Sequence, residues 1–169
     1  HAADPEADRA YVEGLVRLRL GEAAAARQLF ETALKADPRF TMARAQLAEA
    51  LFELGYEEDA QEAAKQAFDQ GGELPRDERD VVEARYWEMR HDEERAASIW
   101  TRLVERHPDD TESALRLAHV LLRGDHLKEA QARIEALRQR SKDPRVDVVA
   151  AWAALKAGDV AGALASGNS

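Results

Sequence analysis

The chain has 169 residues, 45% of them hydrophobic, and a formal net charge of −9. That is enough apolar material for one ordinary domain or about four or five units of a stacked repeat. The acidic excess and the scatter of Lys and Arg argue against DNA or RNA, whose phosphates demand a basic stripe. The absence of Cys removes any disulfide frame, thiol nucleophile or thiolate metal site.

Ala makes up about a fifth of the chain, and Leu, Glu, Arg and Gln are plentiful. These are good helix formers. Alternating β-branched runs are missing, so no strands are predicted. The first helix is predicted from Pro5, which suits a first helical turn, to Leu20. Gly21 ends it, Glu22 to Ala36 forms a second helix, and Asp37-Pro38 closes the pair, since Pro cannot continue a helix. The second pair begins at Thr41, read as an N-cap, runs over 42–54, turns at Gly55 and returns over 57–70. Gly71-Gly72 breaks it, and the connector Gly71 to Arg76 marks a kink. The third pair starts at Asp77, again read as an N-cap, and runs to Arg90. It turns at His91-Asp92, and its return helix over 94–106 stops at His107-Pro108. The fourth begins at Thr111, turns at Gly124-Asp125 and stops between Ser141 and Pro144. The fifth starts at Arg145, turns at Gly158-Asp159 and keeps only a stub, Val160 to Ala165.

The pairs recur about every 34 residues, and such a period signifies stacked helix pairs rather than a domain around a central pocket. Ala26, Ala60, Ala96, Ala130 and Ala163 share one slot, where a large side chain would force the two helices apart. Four residues later Phe30, Trp100 and Ile134 fill space against the neighbouring pair. The second pair has Ala64 there, and Phe68 is expected to compensate. The turn glycines are expected to take the positive φ that ends a helix.

These offsets resemble the tetratricopeptide repeat: Glu13-Gly14, Ala26-x3-Phe30, Ala33 and Pro38; Leu47-Ala48, Leu51, Gly55, Ala60 and Ala67; Ala84, Trp87, Ala96-x3-Trp100 and Pro108; Leu117-Ala118, Leu121, Ala130 and Leu137; Ala150-Ala151, Ala154 and Ala163. The missing Pro at Gly72 and Lys142 departs from the pattern. The resemblance implies an all-α, right-handed solenoid over residues 1–169, with repeats near 7–40, 41–74, 77–110, 111–143 and an incomplete 144–169. It further implies that the first helix of each pair lines a binding groove for a protein or peptide. The corresponding positions are Tyr11, Leu15 and Arg19; Gln46, Glu49 and Phe52; Arg85 and Met89; Arg116, His119 and Arg123; and Trp152. Arg85, Arg116, His119 and Arg123 would form a basic floor for an acidic segment. The alternative reading makes Tyr11, Leu15, Phe52 and Trp152 core and the arginines solvated surface. Family members that hold a C-terminal carboxylate use Lys and Asn where this chain has Tyr11 and Leu15, so that ligand is rejected. A second resemblance, of Leu74-Pro75-Arg76-Asp77-Glu78-Arg79 with Glu83-Ala84-Arg85-Tyr86, is to repeat regions that follow bacterial serine/threonine kinase or winged-helix regulator domains.

No catalytic, cofactor or metal site is assigned. His119 and His126 flank a turn with Asp125, but ordinary surface histidines explain them better than a metal site. Glu57-Glu58-Asp59 and Asp109-Asp110 sit at helix starts, where they complement the macrodipole. No apolar run approaches the ~20 residues that cross a bilayer, and no signal peptide is visible. The start at His1 reads as that of a fragment, and the compartment stays open. The functional expectation is a non-enzymatic docking module, the adaptor or sensory part of a larger bacterial signalling protein. The alternatives are a self-association module, dimerising through Val160, Ala163 and Leu164 of the uncapped last repeat, and an accessory region of an enzyme whose catalytic domain lies elsewhere.

Overall fold

The computed structural model describes residues 4–158, and all the regular structure among them is helical. The order is α1 (Pro5–Arg19), α2 (Ala23–Ala36), α3 (Thr41–Glu53), α4 (Glu57–Gln70), a short 3-10 turn (Gly71–Glu73), α5 (Arg76–Met89), α6 (Glu93–Arg106), α7 (Thr111–Arg123), α8 (Leu127–Arg140) and α9 (Arg145–Lys156). The chain forms an all-α helical repeat fold, as the periodicity predicts. It divides into two compact units, His1–Asp92 and Glu93–Ser169, with the boundary at the turn after α5. The predicted stub Val160 to Ala165, and with it the dimer surface of Val160, Ala163 and Leu164, lies outside the described residues.

Local chemistry sets the helix ends. Asp4 caps α1, its carboxylate accepting from the backbone N–H groups of Glu6 at 2.7 Å and Ala7 at 3.4 Å, and Pro5 follows where no amide donor is missed. Asp110 caps α7 in the same way, accepting from Glu112 N–H at 3.0 Å and from the Ser113 hydroxyl. Two expected caps are corrected. Thr41 is already helical, and its hydroxyl donates to the Arg39 carbonyl at 3.3 Å instead of accepting from the helix. Asp77 lies inside the first turn of α5, which begins one residue earlier after Pro75.

The turns share one geometry. Gly21 and Gly55 adopt φ of 74° and 81°, with Glu22 N–H reaching back to Arg17 O and Tyr56 N–H to Leu51 O, each at 2.9 Å. This is the Schellman arrangement, in which the left-handed residue lets the chain close on its last free carbonyls. In the third and fourth turns the left-handed residues are His91 (φ 55°) and Asp125 (φ 61°), and after α9 it is again a glycine, Gly158 (φ 76°). Gly124, expected to bear the positive φ, has φ −76°. Its lack of a side chain serves packing instead, because a Cβ there would lie 3.2 Å from both Glu93 Cβ and His126 Cδ2.

In the first unit α1 packs on α2, and α3 on α2, α4 and α5. Gly14 faces the ring of Phe30 so closely that a Cβ would sit 2.5 Å from ring carbon Cε1. Ala26 and Ala60, in the repeated small-residue slot, are completely buried. The space beside Ala64 is not filled by Phe68, which is exposed and stacks on Tyr86 at 4.6 Å between ring centroids. Met89 from α5 fills it, packed with Ala48, Leu51, Ala60, Ala63 and Ala64. An unbranched thioether adapts to such an irregular gap. In the second unit Ala96 and Ala130 occupy the same slot, and Trp100, Leu117, Leu122, Ile134, Leu137, Val146 and Val149 are among the large buried side chains.

Candidate functional site

The first helices of the pairs carry the predicted site residues, and the two units treat them differently. In the first unit they are mostly floor. Tyr11 on α1 is half-buried, its ring 4.7 Å from Phe40 and 6.1 Å from Phe30, and its hydroxyl is hydrogen-bonded to Gln46. Burial raises the Tyr11 pKa, against the nearby Arg85 charge and the Gln46 hydrogen bond, which favour the ionised form. Leu15 packs partly buried around Phe30, and Arg19 is exposed at the end of α1. Gln46, Glu49, Arg85 and Met89 are buried. Arg85 Nη1 donates to Glu49 Oε2 in an ion pair whose side chains are both 4% exposed, while Arg85 Nε is buried with no hydrogen-bond partner. Phe52 packs on the Met89 cluster, its ring 6.3 Å from His91. Burial also raises the Glu53 carboxyl pKa, with Arg85 pulling it back.

The second unit presents its site residues differently. Glu112, Arg116, His119 and Arg123 follow one another at helical spacing along one face of α7. Arg145, Val149, Trp152 and Lys156 do the same on α9. The two rows meet rung by rung. Arg145 Nη1 donates to Glu112 Oε2 at 2.9 Å. The His119 and Trp152 rings lie 5.6 Å apart. Lys156 Nζ donates to the Leu122 carbonyl at 2.5 Å and to Asp125 Oδ1 at 2.6 Å. Glu112 is shared, since Arg116 Nε also approaches it, at 3.7 Å. Arg123 Nε donates to Glu93 Oε1 at 3.0 Å.

The electrostatics follow from this crowding. Burial first, then repulsion from Arg116, Arg123 and Arg145, drives the His119 pKa down to about 4. The ring is therefore neutral at pH 7. Burial and the neighbours Arg123 and Arg145 push Arg116 down to about 9, still cationic at pH 7. Arg145 moves the other way, raised chiefly by its hydrogen bonds to Asp143 and also by Glu112. The Asp125 carboxyl is lowered by the Lys156 hydrogen bond.

Arg85 thus belongs to a buried ion pair in the first unit, whereas Arg116, His119 and Arg123 form a row in the second. Sequence reasoning missed Glu112 and Arg145. The signal was there, for Glu112 stands four residues before Arg116 and Arg145 seven before Trp152. The imagined metal group of His119, His126 and Asp125 is instead engaged in separate contacts. His126 Nε2 lies 2.7 Å from Glu94 Oε1, and Asp125 pairs with Lys156. Among the described residues no group of three or more His, Cys, Asp or Glu could hold a metal ion, and no helix is long and apolar enough to cross a membrane. A separate feature lies on α1, where Val12, Val16 and Leu20 are exposed at 58%, 47% and 65% along one face, bordered by Asp8, Arg9, Glu13 and Arg17.

Residues 17–85 match the family model described as tetratricopeptide repeat. No curated protein matches the chain. Among solved structures, a thermophilic tetratricopeptide-repeat protein of Thermus thermophilus aligns with a TM-score of 0.70 and 22% identity, over 95% of this chain and 87% of that one. A tetratricopeptide-repeat protein from Parabacteroides merdae aligns with a TM-score of 0.66 and 17% identity, over 93% of this chain and 61% of that longer one. YrrB, described as a tetratricopeptide-repeat protein with an unusual peptide-binding site, aligns with a TM-score of 0.52 and 14% identity, over 93% of this chain and 80% of that one. At these identities the likeness is one of fold.

Proposed function

We propose that this chain, whose residues 17–85 match the tetratricopeptide repeat model and whose fold is like that of tetratricopeptide-repeat proteins, generally interaction scaffolds, docks a peptide or protein segment along the first helices of its pairs. The observation that carries this reading is the α7–α9 face, where a partly exposed Trp152 lies beside His119 within a row of long charged side chains. Aromatic and Arg side chains of this kind anchor partners, and a helix-lined face accepts an extended or helical segment. The peptide-binding site in the description of YrrB supports docking as a class of activity. In the parent protein such a module would act as an adaptor or sensory part, in keeping with the resemblance of residues 74–86 to repeats attached to bacterial signalling domains. A displayed peptide library selected against the protein tests the reading. Binders enriched on the wild type and lost on Trp152→Ala are expected; a library that yields none would end it.

Self-association is a second reading, favoured by the Val12, Val16 and Leu20 row on α1. Exposed apolar rows rimmed by charge are typical of protein contacts. Light scattering over a concentration series checks it. Association abolished by Val16→Glu is expected, and a wild-type monomer throughout would remove the idea.

A further inference from the structure

We propose that copies of this chain associate head to tail, the exposed row Val12, Val16 and Leu20 of α1 in one copy seating on the row Val148, Trp152 and Leu155 of α9 in the next. This rests on the self-association reading and names what the α1 row meets. Among the described residues seven large hydrophobic side chains are exposed, and five of them fall in these two rows. Such clustering differs from the scatter of single apolar residues that any surface carries.

The repeat offsets say what each row is for. Val16 stands five residues before the left-handed turn residue Gly21, as Ala50, Tyr86 and Ala153 stand five before Gly55, His91 and Gly158. Val12 stands nine before its turn residue, as do Gln46, Val82 and Val149. In α3 and α5 these positions face the preceding pair. Ala50 packs with Ala26 and Phe30 of α2, and Gln46 is hydrogen-bonded to Tyr11 of α1. Val82 packs with Ala45 and Ala67, and Tyr86 on the cluster of Ala48 and Ala60. The row on α1 is therefore the surface by which one pair sits on another. The row on α9 is the other half of that contact. Val148, Trp152 and Leu155 stand at the offsets of Tyr11, Leu15 and Leu18, ten, six and three residues before the turn residue. In the first unit Tyr11, Leu15 and Leu18 are the side chains gathered around Ala50. The α1 row of a second copy thus repeats on α9 a contact already built between α1 and α3.

The rims favour an apolar meeting over a charged one. Beside the α1 row Arg17 is paired with Glu22 at 2.8 Å and with Glu13 at 3.6 Å. Beside the α9 row Lys156 is paired with Asp125 at 2.6 Å and Asp147 with Arg138 at 2.8 Å. These charges are compensated within their own copy, and what remains to be buried is apolar area. The contact joins two different faces, so each copy can accept a further one and growth passes the dimer. It is a weak contact. Arg9, Glu13 and Arg17 stand where α3 has Ala43, Leu47 and Leu51. A few side chains a face also fall well short of the ~20–30 residues a side of a standard interface. Association is therefore reversible and needs concentrated protein.

Sedimentation velocity on the full chain, from about 10 µM to 1 mM, tests the proposal. The wild type is expected to grow beyond the dimer as concentration rises. Val16→Glu and Leu155→Glu should each weaken association about tenfold or more, since a carboxylate would be buried without a partner. Both positions are exposed in the single copy, so helical circular dichroism should be unchanged. Mixed in equal amounts, the two variants should form a heterodimer and nothing larger, because the intact α1 of the Leu155→Glu protein still fits the intact α9 of the Val16→Glu protein. Association lost in Val16→Glu but kept in Leu155→Glu would overturn the α9 contact and leave self-association through α1 standing. A mixture without heterodimer would overturn it as well. A wild-type monomer at every concentration would remove both readings and leave the α1 row to a different protein.

Discussion

Gly14 is constrained by contact and Gly55 by conformation. A methyl group at Gly14 would run into the fully buried Phe30 ring, which has nowhere to retreat in a close-packed interior. Gly14→Ala is expected to cost about 1–3 kcal/mol, read as a lower midpoint in urea. At Gly55 nothing lies within 4 Å of an added Cβ. There the penalty is the left-handed φ of 81° alone, and Gly55→Ala should lose roughly 1–2 kcal/mol. His119 links a residue to pH. Its folded pKa of about 4 lies below the ~6.5 of an unfolded histidine. Between those values the unfolded chain binds more protons, so its contribution is complete above about pH 6.5 and is lost as pH falls toward 4. Denaturant titrations across this window should show wild-type stability dropping by up to roughly 3 kcal/mol. His119→Gln should flatten that portion of the curve.

Successive elements are tied together by contacts spaced one repeat apart. In the first unit Gln46 meets Tyr11, Arg85 meets Glu49, and His91 Nε2 lies 2.7 Å from Glu57 Oε1. In the second, Arg145 meets Glu112, His126 meets Glu94, and Arg140 Nη1 donates to the Pro108 carbonyl. The Glu57–His91 pair is exposed and contributes little. The Glu49–Arg85 pair between α3 and α5 differs, because both partners are buried. Removing one leaves the other charged without its counter-ion, so Arg85→Met should cost about 3–5 kcal/mol. The double variant Glu49→Leu/Arg85→Met should recover much of that loss, because a buried pair repays its own desolvation poorly. Chemical denaturation of the three variants checks the cycle. Additive losses would mean that the two charges act independently.

At the scale of the molecule, two compact units share one repeat chemistry. In repeat folds each element leans on its neighbours, so a defect is felt locally first. Hydrogen exchange on Gly14→Ala should show faster opening of amides in α1 to α3, with those of α7 and α8 keeping their protection. Uniform acceleration along the chain would show instead that the units unfold as one. The acidic surplus of the whole chain works against phosphate-rich partners.

The helices and turns were legible in the sequence because their causes are local. Pro and Gly punctuate the chain, and alanines recur at the offsets that bring two helices close. The left-handed residue of the fourth turn is Asp125, five residues before Ala130 just as Gly21, Gly55 and His91 stand five before Ala26, Ala60 and Ala96, so the repeat offset marked it and the glycine at 124 misled. The site was less legible. Helical spacing placed Arg85, Arg116, His119 and Arg123 on corresponding faces, yet their fates diverge. Arg85 meets Glu49 at 36 residues' remove, and His119 meets Trp152 across two helices. Pairing of that kind depends on which helix arrives opposite which. That is settled by packing far along the chain, not by any residue's neighbours in sequence.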